Sequence, residues 1–363
     1  MRIIHIVESF AGGVYDFICD LNKGLAEEQH IIIHATRSNT PKNFFKDFSK
    51  QTKFIHWKNA TREISPKYDL LALWELINIL KKYDNVDVIH LHSSKAGFLG
   101  RIAARVLGLQ NKVVYTPHGV SFLRQDVSQT KQNIFIWLEK IGSWFGGATI
   151  ACSKSEMNEF HKYRLPADYI NNGITCKKSS ITHFEDKKLC VGTIGRITSQ
   201  KNPRLFNQIA KHFTNSPTIE FLWIGDGELR HELNASNIHI SGWLTREEVA
   251  KHLDHVDIYL STSLWEGLPL SVLQAMCAAK PLILSDCVGN RDLVIDDYNG
   301  KIFKEFNEAI KILEQMIKLQ YRLFDYGRNS KKLLENKFLV KKMVNDYKNL
   351  YMSINPHINN KEQ

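Results

Sequence analysis

Short apolar runs, each followed by a stretch of helical period, recur along almost the whole chain. Residues 3–7, 31–33, 54–56, 86–91, 113–115 and 148–150 read as strands. Between them 15–27, 70–83, 96–107 and the aromatic-rich 134–145 read as helices. Strands that are apolar throughout are covered on both faces, and the intervening helices supply the crossovers that a parallel sheet requires. A polar run at 177–188 reads as a linker, and then the pattern restarts. Strands are expected at 189–194, 219–224, 238–240, 258–260 and 282–284, with helices at 203–213, 228–235, 246–253, 307–320 and 329–349. The fold class is therefore α/β, with two Rossmann-like doubly wound domains. At 363 residues the chain is too long for one ordinary core, so the boundaries are set at 1–175 and 176–340.

The stretch 263–286 carries the most chemistry. Glu266 and Gly267 follow a strand end, Pro269 suits the first turn of a helix, and Lys280-Pro281 stops that helix before the next strand. A helix N-terminus there gathers unpaired N–H groups and partial positive charge, which attract phosphate. Glu266 lies just ahead of it, and Gln274 follows Leu270 by one turn on the same face. At about 1.5 Å rise per residue the Glu266 and Gln274 side chains stand on the order of 10 Å apart. That span suits a ligand with a polyhydroxyl ring on each side of a diphosphate, namely a nucleotide sugar. Gly195-Arg196 closes the first strand of the second half, and Lys201 follows at a helix start, where two cations can offset a diphosphate leaving group. Surface cations at a helix start are the plainer reading of the same pair. Gly12 and Gly13 sit in the first strand-to-helix turn, where glycine lets the backbone approach a ligand closely. His118 sits just past a strand end in Thr116-Pro117-His118-Gly119.

These motifs in this order resemble the family 4 (group 1) retaining glycosyltransferases. The resemblance runs through AGG at 11–13, HSSKAGFLGRIAAR at 92–105, TPHG at 116–119 and NNGI at 171–174. It continues through GRITSQKN at 195–202, IGDGELR at 224–230, SGW at 241–243, SLWEGLPLSVLQAM at 263–276 and NRDLVIDDYNG at 290–300. It implies the GT-B arrangement, in which a last helix, here about 340–363, returns to the first domain. It also implies that Arg196 and Lys201 hold the donor diphosphate with Gly13, that His118 contacts the transferred sugar, and that Glu266 accepts from its hydroxyls. Gly12, Gly267, Leu268 and Leu270 complete the implied donor site. One position departs: the family's second glutamate is Gln274, which can still accept from ribose hydroxyls but lacks a carboxylate's charge-assisted strength. The family route has the acceptor hydroxyl attack on the face that the diphosphate leaves, with retention of configuration.

The chain has no Asp-x-Asp motif and no cluster of metal-ligand spacing, so neither metal nor cofactor is expected. The six cysteines are scattered, and free buried thiols in a reducing cytosol are expected rather than a disulfide framework. No apolar run is long enough to span a bilayer. The expected place is the cytoplasm, at most on the inner face of the cell membrane. The formal charge of +10 carries no nucleic-acid motif; it points to peripheral contact with anionic membrane or to nothing beyond a basic background. The expected function is transfer of a sugar from a UDP- or GDP-sugar to a hydroxyl of a lipid-linked or oligosaccharide acceptor, in synthesis of a bacterial surface polysaccharide such as capsule or O-antigen. Two rivals remain open: a sugar-nucleotide epimerase of the same fold, and a non-catalytic binding subunit. Three smaller choices remain as well. Trp243 stacks on a base or fills core; Arg291 and Asp292 line the donor pocket or a solvated loop; Phe98, Leu99, Ile102 and the aromatic helix are core or face lipid.

Overall fold

The computed structural model describes residues 1–37, 40–61, 63–83, 85–176 and 188–354; residues 177–187 of the expected linker and the terminal 355–363 lie outside them. Within the described residues the chain forms two compact units, one of 1–123, 127–172 and the segment from 340, the other of 124–126 and 173–339.

The first unit runs β1 (Arg2–Val7), α1 (Gly12–Gly24), β2 (Gln29–His34), β3 (Lys53–His56), α2 (Pro66–Leu80), β4 (Val88–His92) and α3 (Ser94–Val106). It continues with β5 (Val113–Thr116), α4 (Gln129–Trp144), β6 (Ala148–Ala151), α5 (Lys154–Lys162) and β7 (Asp168–Tyr169). Its seven strands lie in the order β3-β2-β1-β4-β5-β6-β7, and the printed pairings are parallel. The strands between the edges bury both faces, so each face has its own core, while the edge strands β3 and β7 are partly exposed. Ile4, Ile6, Ile33, Ile89, Leu91 and Tyr115 pack on one side. Ile3, Val7, Ile32, Val88 and Val114 pack on the other, with Phe17 of α1.

The second unit runs β8 (Leu189–Ile194), α6 (Pro203–His212), β9 (Ile219–Ile224), β10 (Ile238–Ile240), α7 (Arg246–Asp254), β11 (Ile258–Ser261) and α8 (Leu270–Cys277). It closes with β12 (Leu282–Ser285), β13 (Gly300–Phe303), α9 (Phe306–Lys318) and α10 (Leu323–Lys337). Its sheet is β10-β9-β8-β11-β12-β13, again parallel. Both sheets reverse strand order beside their first strand, which is the doubly wound pattern. The α/β class expected from the sequence is present in both.

Four differences from the sequence expectations have physical reasons. The helix expected over 329–349 is two, because the chain breaks at Phe338 and Leu339, where Ile174 bonds back to the Phe338 carbonyl. The second piece, α11 (Val340–Ile354), belongs to the first unit and seats Tyr347 and Tyr351 in its core. The helix expected over 228–235 is a single 3-10 turn, Arg230–Glu232. The helix α5, KSEMNEFHK, escapes notice because only Glu156 and Phe160 of its residues are buried, which leaves almost no apolar stripe. The cysteine expectation is corrected for one pair: Cys176 and Cys277 form a disulfide, with Cα atoms 5.6 Å apart. A separation of 101 residues hides that pairing from sequence spacing. Cys19, Cys152, Cys190 and Cys287 are buried free thiols.

Candidate active site

In the second unit the candidate residues are placed by the carboxyl ends of β8 and β11. After β8 the chain passes Gly195 and Arg196 and makes a 3-10 turn over Ser199–Lys201. Asn202, at φ 49°, then caps α6 by accepting from the Leu205 N–H, and Pro203 opens the helix. This turn aims Lys201 at the β11 loop. Its Nζ donates to Glu266 Oε1 at 2.7 Å and lies 3.4 Å from Ser271 Oγ in the first turn of α8. Gln200 holds the other carboxylate oxygen, donating from Nε2 to Glu266 Oε2 at 3.1 Å and to the Trp265 carbonyl at 2.9 Å. Two backbone ties lock the loops together: Thr262 Oγ1 donates to the Lys201 carbonyl at 2.8 Å, and the Leu264 N–H to the Gln200 carbonyl at 2.8 Å.

Glu266 is buried and does not cap α8; its oxygens are taken by Lys201 and Gln200. Burial is the largest influence on the Lys201 ammonium and would lower it, but Glu266 together with Tyr259 and Cys287 makes the net shift upward, so the lysine stays charged. Pro269, one position earlier than expected, is the N-cap of α8 and offers no side-chain acceptor. Along α8, Val272, Leu273, Ala275 and Met276 face the core, while Leu270, Ser271 and Gln274 share the partly exposed face. Gly267 and Leu268 are buried beneath this turn. Gly289 fits against it because a Cβ there would stand 2.6 Å from the Gly267 carbonyl, at φ 83°.

Arg196 does not join this cluster. It is about half exposed and lies 3.3 Å from Glu228. Trp243 is 69% exposed, so it does not fill core; Trp223 does that, and its indole donates to the Gly195 carbonyl at 2.8 Å. Arg291 is exposed and pairs with Asp286.

In the first unit Gly12 and Gly13 are exposed and open α1 beyond the carboxyl end of β1, with Gly12 at φ 57°. His118 lies just beyond β5 at φ 55°, in the left-handed region rarely used by a side-chain-bearing residue. Glu156 holds that loop: one carboxylate oxygen accepts from the Gly119 and Val120 N–H groups at 2.9 Å each, the other from Cys152 N–H at 2.7 Å. Burial pushes Glu156 up to about 7, against the pull of those three donors. Burial pushes His118 down to about 3, so its imidazole is neutral. Leu99 is core and Phe98 packs against it, which settles the α3 choice for those two. Gln200, Glu156 and Cys152 were not singled out from the sequence, since each acts through a partner distant in the chain.

Comparison with known proteins gives the family and the fold. Residues 11–178 match the profile described as Glycosyltransferase Family 4, and residues 188–320 match Glycosyl transferases group 1. The chain belongs to the group 1, family 4 glycosyltransferases. A relative from Escherichia coli, the UDP-Gal:alpha-D-GlcNAc-diphosphoundecaprenol alpha-1,3-galactosyltransferase, is 28% identical over 91% of this chain and 91% of its own. Among solved structures, sucrose-phosphate synthase from Thermosynechococcus elongatus aligns with a TM-score of 0.81 at 17% identity, over 98% of this chain and 99% of that one. Anabaena HepE in complex with UDP and glucose aligns with a TM-score of 0.79 at 16% identity, over 97% of this chain and 100% of that one. The fold of this glycosyltransferase is thus GT-B, and among its described residues no helix is long and apolar enough to cross a membrane.

Proposed function

We propose that this glycosyltransferase moves a hexose from a UDP-sugar to a hydroxyl of a glycan carried on a polyprenyl diphosphate, with retention and without a metal. The observation that carries the reading is the charged Lys201 held by Glu266 at the mouth of α8, whose N-cap supplies no acceptor of its own. A diphosphate placed there meets first-turn N–H groups and an ammonium, which stabilise the charge it gains as its bond to the sugar breaks, while one of its oxygens takes the proton of the attacking acceptor hydroxyl. Glu266 then accepts from sugar hydroxyls, Gln274 from the ribose, and Arg196 swings from Glu228 to the diphosphate. For Gly12, Gly13 and His118 of the first unit, the family resemblance supports contacts with the diphosphate and the transferred sugar. The UDP base and the lipid-linked acceptor are supported by the galactosyltransferase relative, and surface polysaccharide synthesis follows from such an acceptor.

Peripheral membrane contact belongs to the same reading. The outer face of α4 presents Ile134, Trp137 and Trp144 at 46%, 60% and 81% exposure, flanked by exposed Lys131 and Lys140. Aromatic rings beside lysines suit an anionic bilayer surface.

Incubation with UDP-hexoses and a polyprenyl-diphosphate-linked N-acetylhexosamine, with EDTA present, tests this. Product with the anomeric configuration of the donor is expected. An interconverted nucleotide sugar formed without acceptor would support an epimerase instead, and no product with any donor would support a binding subunit.

A further inference from the structure

The face of the first sheet that packs on α1 and α11 carries an unusual core. His5, His30, His90 and His92 are all buried there, at 1% exposure or less. Register explains why. In the parallel ladders His5 pairs with His90 and Ile3 with His30, and side chains two residues apart share a face, so all four rings point the same way. A buried ring nitrogen is costly unless bonded; His5, His30 and His92 bond one another, and His90 bonds Tyr351 and Thr116.

Four of the histidines form a single file. The His30 Nε2 lies 3.0 Å from the Leu25 carbonyl; His30 Nδ1 lies 3.2 Å from His5 Nε2; His5 Nδ1 lies 3.0 Å from His92 Nε2. His92 Nδ1 lies 3.0 Å from His118 Nε2, and His118 Nδ1 lies 3.5 Å from Cys152 Sγ. A carbonyl can only accept, so His30 carries its proton on Nε2. A neutral imidazole has one N–H and one lone pair, so His30 Nδ1 accepts and His5 Nε2 must donate. The same step repeats at His92 and then at His118. The file ends on His118 Nδ1, a lone pair facing the Cys152 thiol, and a thiol has a hydrogen to give. Every donor meets an acceptor in this direction, whereas the reverse direction would need the Leu25 carbonyl to donate.

We infer that His30, His5 and His92 form a one-way imidazole relay, anchored on the Leu25 carbonyl, that fixes His118 as the Nε2–H tautomer with Nδ1 as an acceptor. The three are positioning residues, and the importance of His118 itself rests on the proposed function. Neutrality of the file is supported by burial, which lowers all four imidazoles, and by the Cys152 thiol, which burial pushes well up. The consequence for binding is definite. Any group reaching His118 Nδ1 meets a lone pair, so it must bring a hydrogen, as a sugar hydroxyl does and an ether oxygen does not. A hydroxyl is a stronger donor than a thiol and would displace Cys152 there.

A divalent metal is the competing use of this cluster, since His5, His90 and His92 each offer a nitrogen within 4.8 Å of the others. All six of those nitrogens already have protein partners: His90 bonds Tyr351 OH at 2.6 Å and Thr116 Oγ1 at 2.8 Å, and the rest lie in the file. The relay therefore accounts for the cluster with no ion.

The test is the ¹⁵N spectrum of the histidine rings in the full chain at neutral pH, which reads tautomers directly and needs no activity. The His118 signal is identified by its loss in His118→Asn. Expected are a pyrrole-type Nε2 and a pyridine-type Nδ1 on His5, His30, His92 and His118. His30→Phe, which removes the anchor and keeps the bulk, should then leave His118 a mixture of tautomers. A His118 carrying its proton on Nδ1, or doubly protonated, overturns the inference even if His30→Phe fails to fold. So does a His118 unchanged in a folded His30→Phe, or stoichiometric Zn²⁺ binding that shifts His5, His90 and His92. If the tautomers are as expected and no nucleotide sugar binds, the relay stands and the proposed function falls.

Discussion

The two units solve one problem in opposite ways. Each must hold buried polar side chains in or beside a parallel sheet, the second unit beyond the carboxyl ends of β8 and β11 and the first along a file from His30 in β2 to His118 beyond β5. The second unit does it with opposite charges, Lys201 against Glu266, with Gln200 taking the remaining oxygen. The first does it with neutral rings, passing one hydrogen along from each imidazole to the next. A charged pair is robust to pH but fragile to losing one partner, because the survivor is a buried, uncompensated charge. A neutral file tolerates no added proton, because each ring has only one lone pair to offer.

The largest expected effect follows from that difference. His5, His30, His34, His90, His92 and His118 all have their pKa lowered in the folded state, chiefly by burial. Below pH 6.5 the unfolded chain takes up protons that the folded chain refuses, so stability is full above that pH and is lost as pH falls toward about 3, the His118 value. Each such histidine contributes at most about 1.4 kcal/mol per pH unit, and only between its unfolded and folded pKa. Glu156, Glu139 and Asp20 are raised by burial and oppose this, but they are fewer. Calorimetry from pH 7 to pH 4.5 should show a steep drop in the lowest unfolding transition. A flat profile would break the contrast between the units.

Next comes Lys201→Met, expected to cost about 3–5 kcal/mol in urea unfolding by leaving Glu266 unpaired, and to abolish UDP-sugar binding. The double change Lys201→Met with Glu266→Leu should regain most of the stability and none of the binding. Recovery of both would mean that the pair is structural only. Glu156→Gln should cost about 1–3 kcal/mol, because an amide nitrogen would confront backbone donors that the carboxylate now accepts from. A smaller loss would show that the His118 loop holds without it. The mildest is Trp243→Ala. At 69% exposure the ring should change stability by less than about 0.5 kcal/mol, while UDP affinity falls by about 1–3 kcal/mol if the ring stacks on the base. Titration calorimetry separates the two, and unchanged UDP affinity would remove Trp243 from the site.

Local pattern was enough for the α/β class, since apolar runs and helical period are written in neighbouring residues. The motifs around Glu266, Lys201 and His118 were equally legible, as spacing along one strand-turn-helix is local information. What those residues touch was not. Lys201 and Glu266 are 65 residues apart, and their direct pairing depends on β8 lying beside β11. Cys176 and Cys277 are 101 residues apart, and only the folded chain brings them together.

The histidines mark the boundary most sharply. The strands expected at 3–7 and 86–91 hold or adjoin His5, His90 and His92, and the parity of a strand decided which way each ring would point. It could not decide that β1 lies between β2 and β4, which is what lines the rings up. Sheet order is set by the burial of whole helices and strands against one another, a global free-energy balance that no window of neighbouring residues contains. The proton order in the file depends in turn on one backbone carbonyl, Leu25, a group every residue has and only the tertiary structure could aim.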